Sequence, residues 1–364
     1  MDTVTKLISQ GALRRIRVSG LAIAALIVVG TCAFPDQARA QSPELAMREF
    51  SSGQIKKGVR SIGFGGDGAT WGNYGLVWLD ADTVLADFGD THYTSGNDFH
   101  FGAVGLTSPA LWHRLAIYGI FMFQGSNDVR LALKSPGLGP GAVPMVGNGS
   151  DHAVFVKIAM PVAKGISVGV LLSHETSQFD ATAVANPAQT VHYETEWRPS
   201  GGFGVAWQPN KKLLFGFRGL FNNDLERRTD PAGLTKGMAH TIEFRLGGSV
   251  SPWNGALVDV GGTSVERRNA LAGTDRVVYH PNFGFEQALL AKRVGLRFGL
   301  DETSPTVGGS LKFGRFKLDA AYVDNMARSR VGNLFGTHSD SFLVTLTFDY
   351  HAKRPAPNPS ASVY

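Results

Sequence analysis

Ionisable side chains recur in short alternating stretches along the chain. They are Lys157, Arg218, Glu243, Arg245, Asp259, Glu286, Arg293, Arg297, Lys312, Lys317 and Asp319. Alternate residues of a strand share a face. Glu243 with Arg245, and Lys317 with Asp319, therefore each set two opposite charges on one side of a strand, while Phe244 and Leu318 face the other way. Unpaired charges in a narrow enclosed space are costly, so most of this set is expected to form a paired network that fills an interior, the alternative being a polar path for solutes. Catalytic patterns are weak by comparison. No His-Glu-x-x-His is present, and none of the ten histidines has a serine two positions later. Ser173-His174-Glu175 and His338-Ser339-Asp340 are adjacent triplets, whose neighbours would point to opposite faces of a strand. No enzyme, metal site or cofactor is expected. Gly63, Gly65 and Gly68 match a G-x-G-x-x-G spacing, but without the strand before and helix after that a dinucleotide site needs.

A second candidate site is apolar. From Leu115 to Phe123 both parities are greasy: Leu115, Ile117, Phe121 and Phe123 on one, Tyr118, Ile120 and Met122 on the other. If one face meets lipid, the other brings an apolar patch inside. Tyr118, Ile120 and Met122, extended by Val104, Leu106, Leu171, Leu214 and Leu220, are the expected binding surface for a small hydrophobic molecule, or else the surface against which an inward-folded N-terminal segment packs.

The elements that must carry these residues are strands. Candidates lie near 84–92, 98–108, 115–124, 152–162, 166–177, 189–209 and 213–223, then 239–251, 255–267, 276–288, 291–301, 305–313, 316–325 and 340–350. In the last of these Phe342, Val344, Leu346, Phe348 and Tyr350 oppose Ser341, Thr345, Thr347 and Asp349, with Leu343 the exception. Charged residues make up 18% of the chain, below the ~25% of soluble domains. No run of 18 apolar residues exists, so helical membrane spans are not expected. The remaining way to satisfy a backbone in lipid is a closed barrel.

Short turns at 161–165, 209–212, 251–255 and 314–315 alternate with longer polar connections at 178–188, 224–236, 269–275 and 325–340. This is the rhythm of an outer-membrane barrel with short periplasmic turns and long outer loops; 302–304 is the exception. Trp207, Trp253 and Tyr350 would form a periplasmic aromatic girdle. Basic Lys6, Arg14, Arg15 and Arg17, apolar Leu21 to Val29 and Ala38-Arg39-Ala40 read as a secretory signal over residues 1–40, cleaved near Ala40. The chain holds 35 Lys+Arg and 30 Asp+Glu. Five and two of these fall in the signal, leaving 30 against 28, a net +2. The basic pI therefore gives no reason to expect nucleic acid. Cys32, the only cysteine, also falls in the signal.

Three stretches carry a family resemblance. Gly58 to Thr70 (GVRSIGFGGDGAT) resembles the glycine-rich start of FadL-like proteins, the long-chain fatty-acid transporters and PorV-type barrels. Trp207 to Gly216 (WQPNKKLLFG) is similar to their recurring hairpin, and Val294 to Gly299 with Phe313 to Tyr322 to their C-terminal run. The family's N-P-A is replaced here by Asn73-Tyr74-Gly75-Leu76-Val77-Trp78. The resemblance implies an all-β transmembrane antiparallel barrel of about fourteen strands, spanning 76–350. It implies an N-terminal hatch at 41–75 that includes Arg60, Gly63, Gly65, Gly66, Asp67 and Gly68. A disordered tail is expected at 351–364. The implied function is passive, hatch-gated uptake of small hydrophobic compounds across the outer membrane of a Gram-negative cell. The alternative is a barrel without transport that serves as scaffold or shuttle for exported proteins. Expected partners are the small hydrophobic molecule, outer-membrane lipid with lipopolysaccharide, and the barrel-assembly machinery.

Overall fold

The computed structural model describes residues 83–93, 96–111, 115–196, 200–269, 274–301, 304–324 and 339–350. The signal, the hatch and the tail expected from the sequence lie outside them. The described chain is a closed antiparallel barrel of fourteen staves. Its strands are β1 (Thr83–Tyr93), β2 (Asp98–Leu111), β3 (Leu115–Leu133), β4 (Val143–Ala163), β5 (Ile166–Ala183), β6 (Thr190–Glu196), β7 (Ser200–Asn210) and β8 (Leu213–Asp230). They continue with β9 (Gly233–Val250), β10 (Ala256–Asn269), β11 (Thr274–Leu289), β12 (Val294–Asp301), β13 (Ser304–Phe313), β14 (Phe316–Asp324) and β15 (Ser339–Asp349). β6 and β7 both lie between β5 and β8 and form one interrupted stave. The stretch expected as a single strand at 189–209 is this pair. Thr83 of β1 lies opposite Asp349 of β15, which closes the sheet and leaves no free edge.

The two rims differ. At one, here the near rim, hairpins turn in a few residues. Gly165, Gly255 and Gly314 take φ of 73°, 78° and 62°, the left-handed backbone that glycine adopts without steric penalty. Trp207 stacks on Phe215 at 5.5 Å, Phe313 on Phe316 at 5.8 Å, and Phe316 meets Phe348 at 4.9 Å. Trp253 is exposed and donates from Nε1 to Gln287 Oε1 at 2.8 Å. Trp207 and Trp253 thus lie at the rim of the short turns.

The opposite, far rim is uneven. β12, β13 and β14 have 8, 10 and 9 residues, whereas β3, β4, β5, β8 and β9 have 19, 21, 18, 18 and 18. A bilayer is crossed by about 9–11 strand residues, so the long strands stand well above it as a tall wall. This corrects the connection expected at 224–236. β8 and β9 run through it and turn at Pro231-Ala232. Likewise 178–183 belongs to β5.

The alternation reverses along the tall wall. In its lower part the outward side chains are apolar, including Phe121, Phe123, Leu172, Phe217, Phe221, Phe244 and Leu246. In its upper part β3 to β6 point apolar side chains inward. Val129, Leu131, Leu133, Met145, Phe179, Val191 and Tyr193 form a buried cluster there with Tyr93, Phe99 and Leu138, and Arg130, Asp180 and His192 face out. On β3 the change is made by a β-bulge. Ser126 pairs with Gly149 and Val129 with Gly147, so Asn127 and Asp128 together oppose Asn148. Inward residues are even-numbered up to Ser126 and odd-numbered from Val129. Asp128 takes φ 54° and donates its N–H to Asn148 Oδ1 at 2.9 Å.

Candidate functional site

Inside the lower barrel the walls differ in chemistry. β2 to β5 and β8 supply an apolar cluster of Ala103, Ile120, Met122, Ala153, Phe155, Leu171 and Leu220, with Leu85 and Tyr118 packed against it. Register explains the assembly. Tyr118 pairs with Lys157, Lys157 with Leu171, Leu171 with Gly202 and Gly202 with Leu220. Gly202 has no side chain to intervene between Leu171 and Leu220. Of the eight residues expected in the patch, Tyr118, Ile120, Met122, Leu171 and Leu220 come together. Val104 and Leu106 do not; they are 53% and 51% exposed on the outer face, and Phe101 and Ala103 take the inward positions of β2. The error lay in choosing the parity of β2, where both faces carry apolar residues. Leu214 shares the inward parity of Leu220 but is only half-buried and outside the cluster.

The opposite wall is charged and paired. Arg297, 2% exposed, donates Nε to Glu286 at 2.7 Å and lies 2.7 Å from Asp319 through Nη2. Lys317 Nζ approaches the other Asp319 oxygen at 2.6 Å. Arg245 and Arg218 converge on Glu243 at 2.6 and 3.3 Å. Ser249 donates to the buried Asp259 carboxylate. On the apolar wall itself, Lys157 stands 5.4 Å over the Tyr118 ring. Two of the expected inward charges are corrected. Arg293 lies in the near-rim turn after Leu289, exposed. Lys312 keeps the inward parity but sits at the open near rim, 3.4 Å from Asp349. Hairpin turn and strand end were indistinguishable at 291–293 because Ala291 and Lys292 take φ of 54° and 67° without a glycine to mark them.

Sequence reasoning missed the upper cluster and the residues that join it to the lower one. The signal was present: Val129, Leu131 and Leu133 alternate with Arg130 and Ala132, but with the apolar set on the parity opposite to that of Ile120 and Met122. Between the clusters runs a polar course. Gln124 pairs with Phe101 and with Asp151, and Asp151 with Ser177. Ser177 Oγ donates to Asp151 at 3.0 Å. On the other side Phe101 packs with Ala321, Val323 and Leu343. The exceptional Leu343 of β15 is thus fully buried inside. At the far rim Ser135 donates to the buried Asp230 carboxylate, which Arg228 approaches at 3.3 Å. This ties the β3–β4 connection to the β8–β9 hairpin.

No protein-family model matches the chain, and no curated protein matches it in sequence. Solved structures do match. The Pseudomonas putida toluene transporter TodX superposes with a TM-score of 0.52 at 9% identity, covering 82% of this chain and 98% of that one. The monoaromatic hydrocarbon channel CymD gives 0.54 at 12% identity, over 82% and 98%. A Pseudomonas aeruginosa FadL homologue gives 0.51 at 12% identity, over 82% and 100%.

Proposed function

We propose that this barrel is an outer-membrane channel for the passive uptake of small hydrophobic compounds, with its near rim in the periplasm and its tall wall outside the cell. One observation carries the reading: two buried apolar clusters lie one above the other inside the barrel, on the shared strands β2 to β5. A lumen that conducted only ions or sugars would gain nothing from them, since buried apolar lining disfavours water. The upper cluster would capture a hydrophobic molecule at the mouth, and Tyr118, Ile120, Met122, Leu171 and Leu220 would hold it in the bilayer region. A hatch formed by residues 41–75, with Arg60, Gly63, Gly65, Gly66, Asp67 and Gly68, would govern release. The fold shared with channels described as carrying toluene and other monoaromatic hydrocarbons supports the class of cargo. The paired network around Arg297 and Glu243 holds the opposite wall in shape and takes no part in binding.

The test is uptake of a radiolabelled aromatic hydrocarbon by cells and by proteoliposomes containing the barrel. Tyr118→Asp and Met122→Asp are expected to lower the rate at least tenfold while the protein still shows the heat-modifiable gel migration of a folded barrel. Unchanged uptake in such folded variants would discard the reading.

A further inference from the structure

Three buried polar side chains border the lower apolar cluster without a full set of partners. Asp87 is 5% exposed and its Oδ1 has no hydrogen-bond partner. Gln124 is 4% exposed, and both its amide oxygen and its amide nitrogen are unpartnered. Asn222 is 8% exposed with an unpartnered Oδ1. Their placement is tight. Asp87 pairs in register with Ala103, Ala103 with Met122 and Met122 with Ala153, so the carboxylate ends a row of three cluster residues. Gln124 is the next inward residue above Met122, and Asn222 the next above Leu220. A buried polar atom left without a partner forfeits its hydration and gains no bond in return, so three such groups around one apolar cradle point to a molecule that completes them.

We infer that the lower site takes an apolar molecule with a hydrogen-bond-donating end, a hydroxyl or an amine, in preference to a bare hydrocarbon or a carboxylate. The inference rests on the hydrophobic-uptake reading and sharpens its substrate class. The inventory of groups decides the sign. The Asp87 and Asn222 oxygens only accept; Gln124 offers one acceptor oxygen and one donor group. Three acceptors against one donor suit a ligand that donates. A carboxylate would bring acceptors to acceptors, and a negative charge toward Asp87 and Asp151. The nearby cations are engaged elsewhere: Arg218 and Arg245 on Glu243, Arg297 on Glu286 and Asp319, and Lys157 over Tyr118. The ring of the ligand would rest on Ile120, Met122, Phe155 and Leu220, with its donor directed at Asp87 and Gln124.

Isothermal titration of the purified full-length barrel in detergent with toluene, benzyl alcohol, benzylamine and benzoate tests this. Benzyl alcohol and benzylamine are expected to bind at least tenfold tighter than toluene, and benzoate no tighter than toluene. Asp87→Leu and Gln124→Leu should each erase most of that advantage, read as the ratio of alcohol or amine affinity to toluene affinity in the same variant. Asp87→Asn should weaken benzylamine more than benzyl alcohol, because an acceptor oxygen remains and the charge is gone. If toluene binds and the alcohol and amine gain nothing, or benzoate binds tightest, the inference is overturned and the uptake reading stands. If none of the four binds to a barrel with intact heat-modifiable migration, both fall.

Discussion

The β3 bulge makes a prediction in which removing less and removing more have opposite consequences. Asn127 and Asp128 together oppose Asn148, so β3 carries one residue more than β4 between Ser126 and Val129. Deleting Asp128 alone leaves a regular ladder in which Val129, Leu131 and Leu133 still face inward. Deleting Asn127 and Asp128 together flips every later residue of β3. Val129, Leu131 and Leu133, now 0%, 6% and 0% exposed, would then face water, and Arg130 would enter the apolar cluster. At about 1.5–3 kcal/mol for each side chain the lost burial is about 5–9 kcal/mol, before any cost for Arg130. The mature barrel is expected to hold no cysteine, since Cys32 is the only one in the chain and falls in the stretch expected from the sequence to be a cleaved signal. Single-cysteine accessibility can therefore read the facing directly. In the parent, Arg130→Cys should react rapidly with a water-soluble maleimide and Leu131→Cys slowly. The single deletion should keep that order, and the double deletion should reverse it or render the tall wall protease-sensitive. If deleting Asp128 alone reverses the order, the bulge is not what sets the inward face.

Three further outcomes follow from the geometry. Arg297→Met leaves Glu286 and Asp319 buried without their shared cation, which costs about 3–5 kcal/mol; the temperature at which the folded gel band is lost should fall clearly, whereas a combined Glu286→Gln, Arg297→Met, Asp319→Asn variant should recover much of the loss. His192, on β6 above the bilayer-spanning part, has its imidazole pKa raised above the ordinary value by the hydrogen bond to Asp180 at 2.6 Å, with Glu194 adding to the effect. A raised folded-state value means the contact stabilises the β5–β6 hairpin below the unfolded pKa and is lost as pH rises through the folded one. Amide protection at its tip, measured relative to the intrinsic base-catalysed exchange rate, should therefore fall from acid to mildly alkaline pH, and His192→Asn should flatten that profile. Gly165→Ala strains a turn at φ 73° and drives its Cβ into the Gln208 carbonyl oxygen, so a loss of at least ~1 kcal/mol is expected in a refolding titration.

Much of the lower barrel was legible because each signal there is local. Gly165, Gly255 and Gly314 mark their own hairpins, and the pairing of Glu243 with Arg245 on one face needs only strand parity. The same rule placed Asp259, Glu286, Arg297 and Asp319 inside, where they are buried. Two things were not legible. On β2 both parities are apolar, so only the register with β1 and β3 decides that Ala103 turns inward and Val104 outward. On β3 the bulge displaces the alternation by one, so an apolar run read with a fixed period stops at Gln124 although the strand continues to Leu133. The ends of β4 and β8 were lost for a related reason. Beyond the bilayer the rule for which face is greasy changes, and polar residues that look like loop belong to strand.

That change of rule means the chain meets two solvents during assembly. The lower band, with Phe217, Phe244 and Leu246 outward, reaches its final state only where hydrocarbon replaces water. The upper wall, with Phe179, Met145 and Leu133 inward, is driven by water and would be loosened, not favoured, by lipid. Hydrophobic burial in the upper wall weakens on cooling, whereas the lower band is held chiefly by closed backbone pairing. The wall above the membrane should thus be the part that melts first in the cold, while the staves beneath it stay shut.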